Sequence, residues 1–367
     1  MTLNNKNLAS IVKTSQRNYK VLVGDKSIEN LADELKKLNV KGKIFLITDN
    51  SIFPEFILKI HHILEESNYK TNILTIELNE TTKNLSTLKK LYEWYGKQKI
   101  ERNDTIVAVG GGVTGDLIGF SASTWLRGIN VVHIPTTLAA MVDASIGGKT
   151  AINLNIGKNL VGAFHQPILV LSDTESLSTL PKRELRSGWA EAIKHAFLFD
   201  EKLLNIFLSE SNDIKNLKNP ISTDVIRESV KIKSEIVSND EFEKGDQRIF
   251  LNYGHTIGHA IESISKYSQF LHGEAVSIGM CVAAKISEMM GITDNHLTKL
   301  HSEIMKLYDL PISLPNIDEE EIINSIKFDK KVRDGKVRWV LLKKISEPYI
   351  NSNVDEKILR EALKISR

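Results

Sequence analysis

Thr105-Ile-Val-Ala-Val-Gly-Gly-Gly-Val-Thr-Gly-Asp-Leu-Ile-Gly-Phe120 is the stretch of the chain that decides the fold. Its first five residues are an apolar, β-branched run after the polar residues 101–104, which is typical of a strand buried on both faces. The glycines that follow would let backbone N–H groups approach a diphosphate, and the N-terminus of the next helix would favour its charge. The stretch therefore predicts a strand, a nucleotide-binding turn and a helix.

The glycines Gly110, Gly112 and Gly115 have the spacing of the fingerprint of dinucleotide-binding proteins. A standard Rossmann unit also has an acidic residue about 20 positions later, at the end of its second strand. Here the next predicted strand, Val131–Ile134, is followed by Pro135-Thr-Thr137 and no carboxylate. The sequence favours a nucleotide site of non-standard geometry over the alternative, a tight turn that binds nothing.

Composition excludes several classes of protein. The chain has 367 residues, enough for two domains, and a formal net charge of +2, which gives no reason to expect a nucleic-acid or membrane surface. Its one cysteine, Cys281, permits no intramolecular disulfide and fits a reducing compartment. No apolar run approaches the roughly 18 residues of a membrane-spanning helix, and the first residues do not resemble a signal peptide. We expect a cytoplasmic protein.

Strands and helices alternate in the first half of the chain, with short polar connections between them. The predicted strands are Tyr19–Val23, Gly42–Thr48, Thr71–Glu77, Thr105–Val109 and Val131–Ile134, and the predicted helices are Ile28–Leu38, Phe56–Ser67 and Leu85–Lys97. Residues 138–167 show few strand features. The alternation predicts an α/β, Rossmann-like nucleotide-binding domain with a parallel sheet over residues 1–179.

From Leu180 onward the pattern is almost entirely helical. The predicted helices are Arg183–Asp200, Leu203–Leu217, Thr223–Ser238, His255–Lys266, Glu274–Met290, His296–Leu307 and Val354–Ser366, with one late strand at Val337–Leu342. Residues 180–367 are therefore predicted to form a mostly α-helical domain that binds metal and substrate.

Two histidines, His255 and His259, are one helical turn apart and so share a face of their predicted helix. Such pairs often bind a divalent metal. His272 begins the next helix, and Glu191 lies in an apolar helix. A glutamate with two or three histidines suits zinc with an open coordination position. The spacing leaves open whether His259 is a ligand or an acid–base group, and whether the pair is simply a polar helix face.

Other candidate residues follow predicted strands. Asp49 could hold a ribose or cap the turn after its strand. Glu80 and Lys83 come just after the third strand, where a solvated helix start is the ordinary interpretation. Further on, Gly148-Lys-Thr150 resembles the end of a Walker A loop, but Asp143 occupies the position of the upstream glycine, which excludes a P-loop NTPase.

Cations near these motifs suggest an anionic substrate. Lysines beside glycines are common phosphate ligands, and Arg248, seven residues before His255, is a candidate for binding a carboxylate. Together the residues suggest a dinucleotide, a metal and an anionic substrate.

These motifs, in their order, resemble the 3-dehydroquinate synthase family of sugar phosphate cyclases. The resemblance covers the chain from about Lys20 to about Leu342. The segments that carry it are Gly110–Phe120, Pro135–Leu138, Val142–Thr150, Gly157–Asn159, Ala190–Lys194, Leu251–Ala260 and His272–Glu274. One departure is Lys244-Gly-Asp-Gln247, a connection between Glu243 and Arg248 that is one residue longer than in many relatives.

The resemblance implies a role for specific residues. It implies zinc (or cobalt) ligands at Glu191, His255 and His272, with His259 facing the substrate. It implies NAD contacts from Asp49, Glu80, Lys83, Gly111, Gly112, Val113, Gly115, Asp116, Thr136, Thr137, Lys149, Lys158, Ser176, Leu177, Ser178 and Thr179. It implies substrate contacts from Arg127, Asp143, Lys149, Asn159, Lys194, Lys233, Glu243, Arg248, Asn252, His259 and one lysine of the Lys330-Lys331 pair, for which we take Lys330.

The resemblance also implies an activity. The family converts 3-deoxy-D-arabino-heptulosonate 7-phosphate, a phosphorylated keto sugar acid, into 3-dehydroquinate and phosphate, and so acts as a carbon–oxygen lyase of the shikimate pathway. NAD oxidises the substrate, phosphate is eliminated, NADH returns the hydride, and the opened ring closes by an aldol step. A homodimer is implied, with Arg127 reaching the substrate phosphate of the other subunit.

Three other functions remain as alternatives. Sibling cyclases make inosose or valiolone rings from other sugar phosphates, but Arg248 and Lys233 favour a carboxylated substrate. A metal-dependent alcohol or glycerol dehydrogenase would consume NAD and would not need so many ligands for anions. A non-catalytic dinucleotide-binding protein would not need Glu191, His255 and His272 all to be present.

Overall fold

Thr105–Gly110 is an interior strand of a seven-stranded sheet in the computed structural model of the chain, which describes residues 6–266, 269–327, 332–333 and 336–367. All six residues of the strand are buried. The prediction of a strand covered on both faces is therefore confirmed. The chain forms two compact units, Met1–Pro181 with Ile226–Phe242, and Lys182–Val225 with Glu243–Arg367.

The first unit is built on this sheet. In chain order its strands are β1 Leu8–Lys13, β2 Asn18–Gly24, β3 Ile44–Asp49, β4 Thr71–Ile76, β5 Thr105–Gly110 and β6 Asn130–Pro135, then the hairpin β7 Lys149–Leu154 and β8 Gly157–Phe164, and β9 Leu169–Asp173. The sheet order is β1-β2-β9-β6-β5-β3-β4. Only the β1–β2 pair in this sheet is antiparallel; every other pair is parallel.

Helices cover both faces of the sheet. The helices between the strands are α1 Leu31–Lys37, α2 Pro54–Glu66, α3 Leu85–Lys97 and α4 Gly112–Thr124. Consecutive strand residues alternate between two cores: Val107 packs in the cluster that contains residues of α1 and α2, and Ile106 packs in the cluster that contains residues of α3 and α4. This period of two, with both faces apolar, explains why β5 reads as a continuous apolar run.

The strand order reverses between β3 and β5. From β3 the chain continues outward to β4, whereas β5 leads the other way to β6 and β9. A reversal of this kind opens a crevice at the carboxyl ends of the strands, which is where open α/β sheets bind ligands.

The β7–β8 hairpin was not predicted, and the expectation of few strand features over residues 138–167 was wrong here. The middle of β8 is exposed, and its only run without polar residues, Leu160–Phe164, is short, contains Gly162 and shows no alternation. The hairpin depends instead on pairing between its strands and on packing of β7 against α4. The strands β1 and β9 were not predicted either.

The second unit is mostly helical. Its helices are α5 Lys182–Phe199, α6 Glu201–Ser209, α7 Ser211–Lys215, α9 His255–Ile264, α10 His272–Met289, α11 Asn295–Leu307, α12 Glu319–Lys327 and α13 Glu356–Ile365; α8, Ile221–Asn239, contributes residues to both units. Short strands β10 Val332–Arg333, β11 Lys336–Val337, β12 Trp339–Lys344 and β13 Glu347–Asn351 form two hairpins. The single helix predicted at Leu203–Leu217 is in fact two, α6 and α7.

Within the described ranges, no helix has the length and apolar character needed to cross a bilayer.

A pair of glycine substitutions tests the packing of α4 on the hairpin. A Cβ on Gly119 would lie 2.5 Å from Thr150 Cγ2, whereas a Cβ on Gly96 in α3 would meet nothing within 4 Å. We expect Gly119→Ala to lower the free energy of unfolding by about 1–3 kcal/mol through overpacking, and the control Gly96→Ala to raise it by about 0.5–1 kcal/mol. Urea unfolding curves would show both shifts; equal shifts in the two variants would contradict the packing described here.

Candidate active site

Three helices of the second unit meet where glycines allow their backbones to touch. A Cβ on Gly273, at the start of α10, would lie 1.9 Å from the carbonyl oxygen of Ser187 in α5. The N–H of Gly273 donates to Ser187 Oγ at 3.0 Å. Farther along α10, a Cβ on Gly279 would lie 1.9 Å from the carbonyl oxygen of Gly254, which precedes α9. No larger residue fits at either glycine, so these contacts fix α5, α9 and α10 at close distance.

This contact gathers one carboxylate and two imidazoles. Glu191 on α5 is 1% exposed, and its Oε1 lies 3.6 Å from His255 Nε2 and 3.4 Å from His272 Nε2. One donor atom from each of the three residues falls within 4.8 Å of the other two. Three such donors around one point could hold a single divalent cation.

Neighbouring groups orient these donors. His255 Nδ1 lies 3.1 Å from the carbonyl oxygen of Tyr253, which can only accept, so Nδ1 carries the proton and Nε2 presents its lone pair to Glu191. His272 Nδ1 lies 3.3 Å from Glu262 Oε2, which orients the second ring in the same way. Lys194 Nζ contacts the other oxygen of Glu191. Outer groups of this kind are the usual support of a metal site.

The charges around His272 also bear on how a metal would bind. Burial alone would lower the pKa of His272, but the carboxylates of Glu262 and Glu191 raise it to about 10. The environment of this ring therefore favours positive charge. Because a protonated imidazole cannot be a ligand, a metal must displace a proton to bind there.

His259 lies one turn after His255, with ring centroids 5.3 Å from His255 and 6.2 Å from His272. With Glu262 and His272 it forms a second, overlapping group of possible metal donors. The structure therefore brings His259 to the edge of the cluster, where it could act either as a ligand or as a proton donor and acceptor.

Apart from Lys149 and Lys158, which lie in the β7–β8 hairpin, the predicted nucleotide residues lie at the carboxyl ends of five neighbouring parallel strands. They are Asp49 at the end of β3; Glu80 and Lys83 after β4; Gly111, Gly112, Val113, Gly115 and Asp116 after β5; Thr136 and Thr137 after β6; and Ser176, Leu177, Ser178 and Thr179 after β9. Because the strands are parallel, one edge of the sheet collects all these residues.

The glycine turn packs closely at that edge, with no side chain between its backbone and the neighbouring residues. A Cβ on Gly111, the residue before α4, would lie 3.1 Å from Thr137 Cγ2, and one on Gly112 would lie 3.4 Å from Ala144 Cβ. A small pocket under the turn is lined by these glycines, His133 and Ser145, among others. The hydroxyls of Ser145 and Thr136 are buried and have no hydrogen-bond partner in the described part of the chain. Bare backbone and spare hydroxyls suit a polar ligand such as a dinucleotide.

A charged network lies beside this turn. Lys83, only 2% exposed, places Nζ 2.8 Å from Asp116 Oδ2 and 2.7 Å from Asn159 Oδ1. Lys158 Nζ lies 3.3 Å from Glu80 Oε1. Burial raises the pKa of Asp116, and the charge of Lys83 opposes this rise. The network joins residues predicted to bind NAD to one predicted to bind substrate.

The predicted substrate residues are distributed over both units. In the first unit Lys233 Nζ contacts Asp143, while Lys149 and Arg127 are exposed. Arg127 follows Leu126 in a short turn where both have positive φ, 70° and 50°.

In the second unit Lys194 and Arg248 are 1% and 2% exposed, and Asn252 ends the short 3-10 helix that Arg248 begins. Glu243, before the longer connection, has a φ of 55°. Lys330, which is predicted to contact substrate, lies outside the described residues.

Sequence reasoning missed Glu262 and Asn153. Glu262 is seven residues after His255 and three after His259, so its place on the same helix face could have been inferred. Asn153, which contacts Glu80 and Asn159, belongs to the unpredicted hairpin, and no local pattern pointed to it.

Comparison with known families covers most of the chain. Residues 73–187 match the family profile described as 3-dehydroquinate synthase N-terminal, and residues 188–332 match 3-dehydroquinate synthase C-terminal. The 3-dehydroquinate synthase of Prochlorococcus marinus (strain NATL1A) is 40% identical over 358 residues, which are 96% of this chain and 97% of that protein.

Two solved structures resemble the whole chain. A 2-deoxy-scyllo-inosose synthase complexed with carbaglucose-6-phosphate, NAD+ and Co2+ has a TM-score of 0.87 at 26% identity, covering 98% of this chain and all of that one. The 2-epi-5-epi-valiolone synthase of Streptomyces hygroscopicus subsp. jinggangensis 5008, with NAD+ and Zn2+ bound, has a TM-score of 0.88 at 25% identity, covering 97% and 98% of the two chains.

Proposed function

The chain belongs to the 3-dehydroquinate synthase family, and we propose that it converts 3-deoxy-D-arabino-heptulosonate 7-phosphate into 3-dehydroquinate and phosphate. The observation that carries the proposal is the group of Glu191, His255 and His272, in which a buried carboxylate and two oriented imidazoles fit one divalent cation. We further propose that the enzyme is cytoplasmic and forms a homodimer.

The cofactors proposed are NAD and zinc or cobalt. When bound, the metal would lower the pKa of a substrate hydroxyl, and NAD would take up a hydride and return it. Glu191, His255 and His272 would hold the metal, with Tyr253 and Glu262 keeping both imidazoles in the binding tautomer. The residues at the carboxyl edge of the sheet would hold NAD, its diphosphate at the start of α4.

The remaining residues would bind, orient and exchange protons with the substrate. Arg248 carries a permanent charge although it is 2% exposed, which suits a fixed anion such as the substrate carboxylate, with Lys233 as its second cation. Lys149, Asn159 and Arg127 would hold the phosphate. Lys194 and His259, next to the metal donors, would bind and exchange protons with the substrate hydroxyls. Asp143, Glu243 and Asn252 are proposed as further substrate contacts.

The sibling cyclases are the second candidate. The inosose and valiolone synthases of known structure are cyclases of this kind, but at 25–26% identity, whereas the 3-dehydroquinate synthase of Prochlorococcus marinus is 40% identical. The higher identity over the full length favours the carboxylated substrate.

Phosphate release tests the proposed reaction. The protein is incubated with the seven-carbon keto acid phosphate, zinc and a trace of NAD, and absorbance at the NADH band is followed. Phosphate should appear in many-fold excess over NAD without build-up of NADH. NADH that accumulates one-for-one with product would indicate a dehydrogenase, and release only from glucose 6-phosphate, the matched substrate without a carboxylate, would indicate a sibling cyclase.

A ligand substitution tests the metal group. His272→Ala should weaken zinc binding at least about 100-fold, because even outer partners of a ligand cost 10–100-fold, and should abolish turnover while the circular dichroism spectrum is unchanged. The control is His296→Ala, an exposed histidine of the same unit. Equilibrium dialysis with metal analysis gives the affinities; equal zinc binding by the two variants would refute the assignment.

Mixing variants tests the dimer. Arg127→Ala should bind zinc normally but turn over poorly. If Arg127 acts on the other subunit, an equal mixture with His272→Ala should recover about a quarter of the wild-type sites, since random pairing makes half of the dimers hybrid and each hybrid has one complete site. No recovery after verified subunit exchange would place Arg127 outside the partner's site.

A further inference from the structure

Asn153 lies near the end of β7. All the polar atoms of its side chain form hydrogen bonds to residues that the proposed function gives as NAD-binding or substrate-binding. Its Nδ2 donates to Glu80 Oε1 at 2.7 Å and to the Glu80 carbonyl at 3.0 Å. Its Oδ1 accepts from the N–H of Asn159 at 3.0 Å. Because carbonyl and carboxylate oxygens only accept and an N–H only donates, these partners fix which end of the amide is which.

The backbone of Asn153 makes a further connection. Its N–H donates to the carbonyl of Lys83 at 2.8 Å. Asn153 therefore joins two segments that are remote in sequence: Glu80–Lys83 after β4, and Lys158–Asn159 in the hairpin. The ion pair between Lys158 and Glu80, at 3.3 Å, and the bond from Lys83 to Asn159 Oδ1 complete the connection.

Two of these partners need the support. Asn159 has a φ of 53°, a left-handed conformation that is uncommon for residues other than glycine, and the bond from its N–H to Asn153 helps to hold it. Glu80 is a partly buried carboxylate between two lysines, and its Oε1 accepts the shorter of the two bonds from the Asn153 amide. Loss of the amide would free both the carboxylate and the hairpin residue.

We propose that Asn153 is a positioning residue that locks the NAD-binding segment Glu80–Lys83 to the hairpin segment Lys158–Asn159, so that NAD affinity and substrate affinity both depend on one side-chain amide. The inference rests on the proposed function for the roles of these four residues. It does not place Asn153 in contact with either ligand.

Two substitutions distinguish the contribution of the amide N–H donor from that of the amide oxygen. In Asn153→Asp the acceptor for Asn159 remains, but the donor to Glu80 becomes a second negative charge; in Asn153→Ala both bonds are lost. The expected loss of NAD affinity in Asn153→Asp is about 10–100-fold, the usual cost of a lost hydrogen bond to a charged group with its partner left unsatisfied. Asn153→Ala should also raise KM for the sugar acid phosphate, with kcat changed less than KM.

The control variant is Asn84→Asp. Asn84 forms a β-bridge with Asn153 and caps α3 by accepting from the N–H of Thr87, which aspartate can also do, while its Nδ2 donates to the Thr81 carbonyl at 2.9 Å. It adds the same charge close by without facing Glu80. NAD affinity in this variant should fall less than in Asn153→Asp, because the added charge replaces a donor to the Thr81 carbonyl and not the donor to the Glu80 carboxylate.

A double variant gives the decisive comparison. If Asn153→Asp acts through charge repulsion on Glu80, it should cost much less NAD affinity when introduced into Glu80→Gln than into the wild type. Titration of the zinc-loaded full chain with NAD, followed by protein fluorescence, measures all four affinities, and thermal midpoints monitor folding. An NAD affinity within twofold of wild type in Asn153→Asp, or the same loss in both backgrounds, would overturn the proposal.

Failure of the proposed function would look different. A wild-type chain that binds NAD but releases no phosphate from the keto acid phosphate would contradict the reaction, while the NAD titrations would still test Asn153.

Discussion

A buried carboxylate is stable only when positive charge or hydrogen-bond donors surround it, and Glu191 imposes this requirement on the second unit. Lys194 supplies positive charge, the environment of His272 favours it as well, and His255 completes the group around the carboxylate. These groups come from α5, α9 and α10, and they reach the carboxylate because glycines let the helices touch. The same arrangement that compensates Glu191 in the absence of an ion gives an ion three donors, so folding and metal binding draw on one set of groups.

The first unit meets a different constraint. Parallel strands place all their carboxyl ends at one edge, so residues from five loops are collected without any of them being close in sequence. Beside the glycine turn, the edge is held by the buried Lys83, which contacts both Asp116 and Asn159. Here a buried cation, rather than a buried anion, organises the polar residues around it.

The helices and strands whose own residues show a clear pattern could be predicted from the sequence. β5 reads as an apolar run, and α3, predicted at Leu85–Lys97, has those bounds in the structure. The β7–β8 hairpin could not be predicted, because β8 is partly exposed and its stability comes from pairing and from α4. Helical spacing placed His255 and His259 on one face, but only the direction of each ring shows that His255 Nε2 faces Glu191. Family membership supplied roles that spacing left open, and those roles remain predictions for the individual residues.

The measurement that tests the account most directly is anomalous diffraction at the zinc edge from crystals of the zinc-loaded protein. The account predicts one peak per chain about 2.0–2.2 Å from a carboxylate oxygen of Glu191 and from Nε2 of His255 and His272, with His259 outside the coordination sphere. A peak bound instead by His259, Glu262 and His272, or no peak near Glu191 in zinc-saturated crystals, would contradict it.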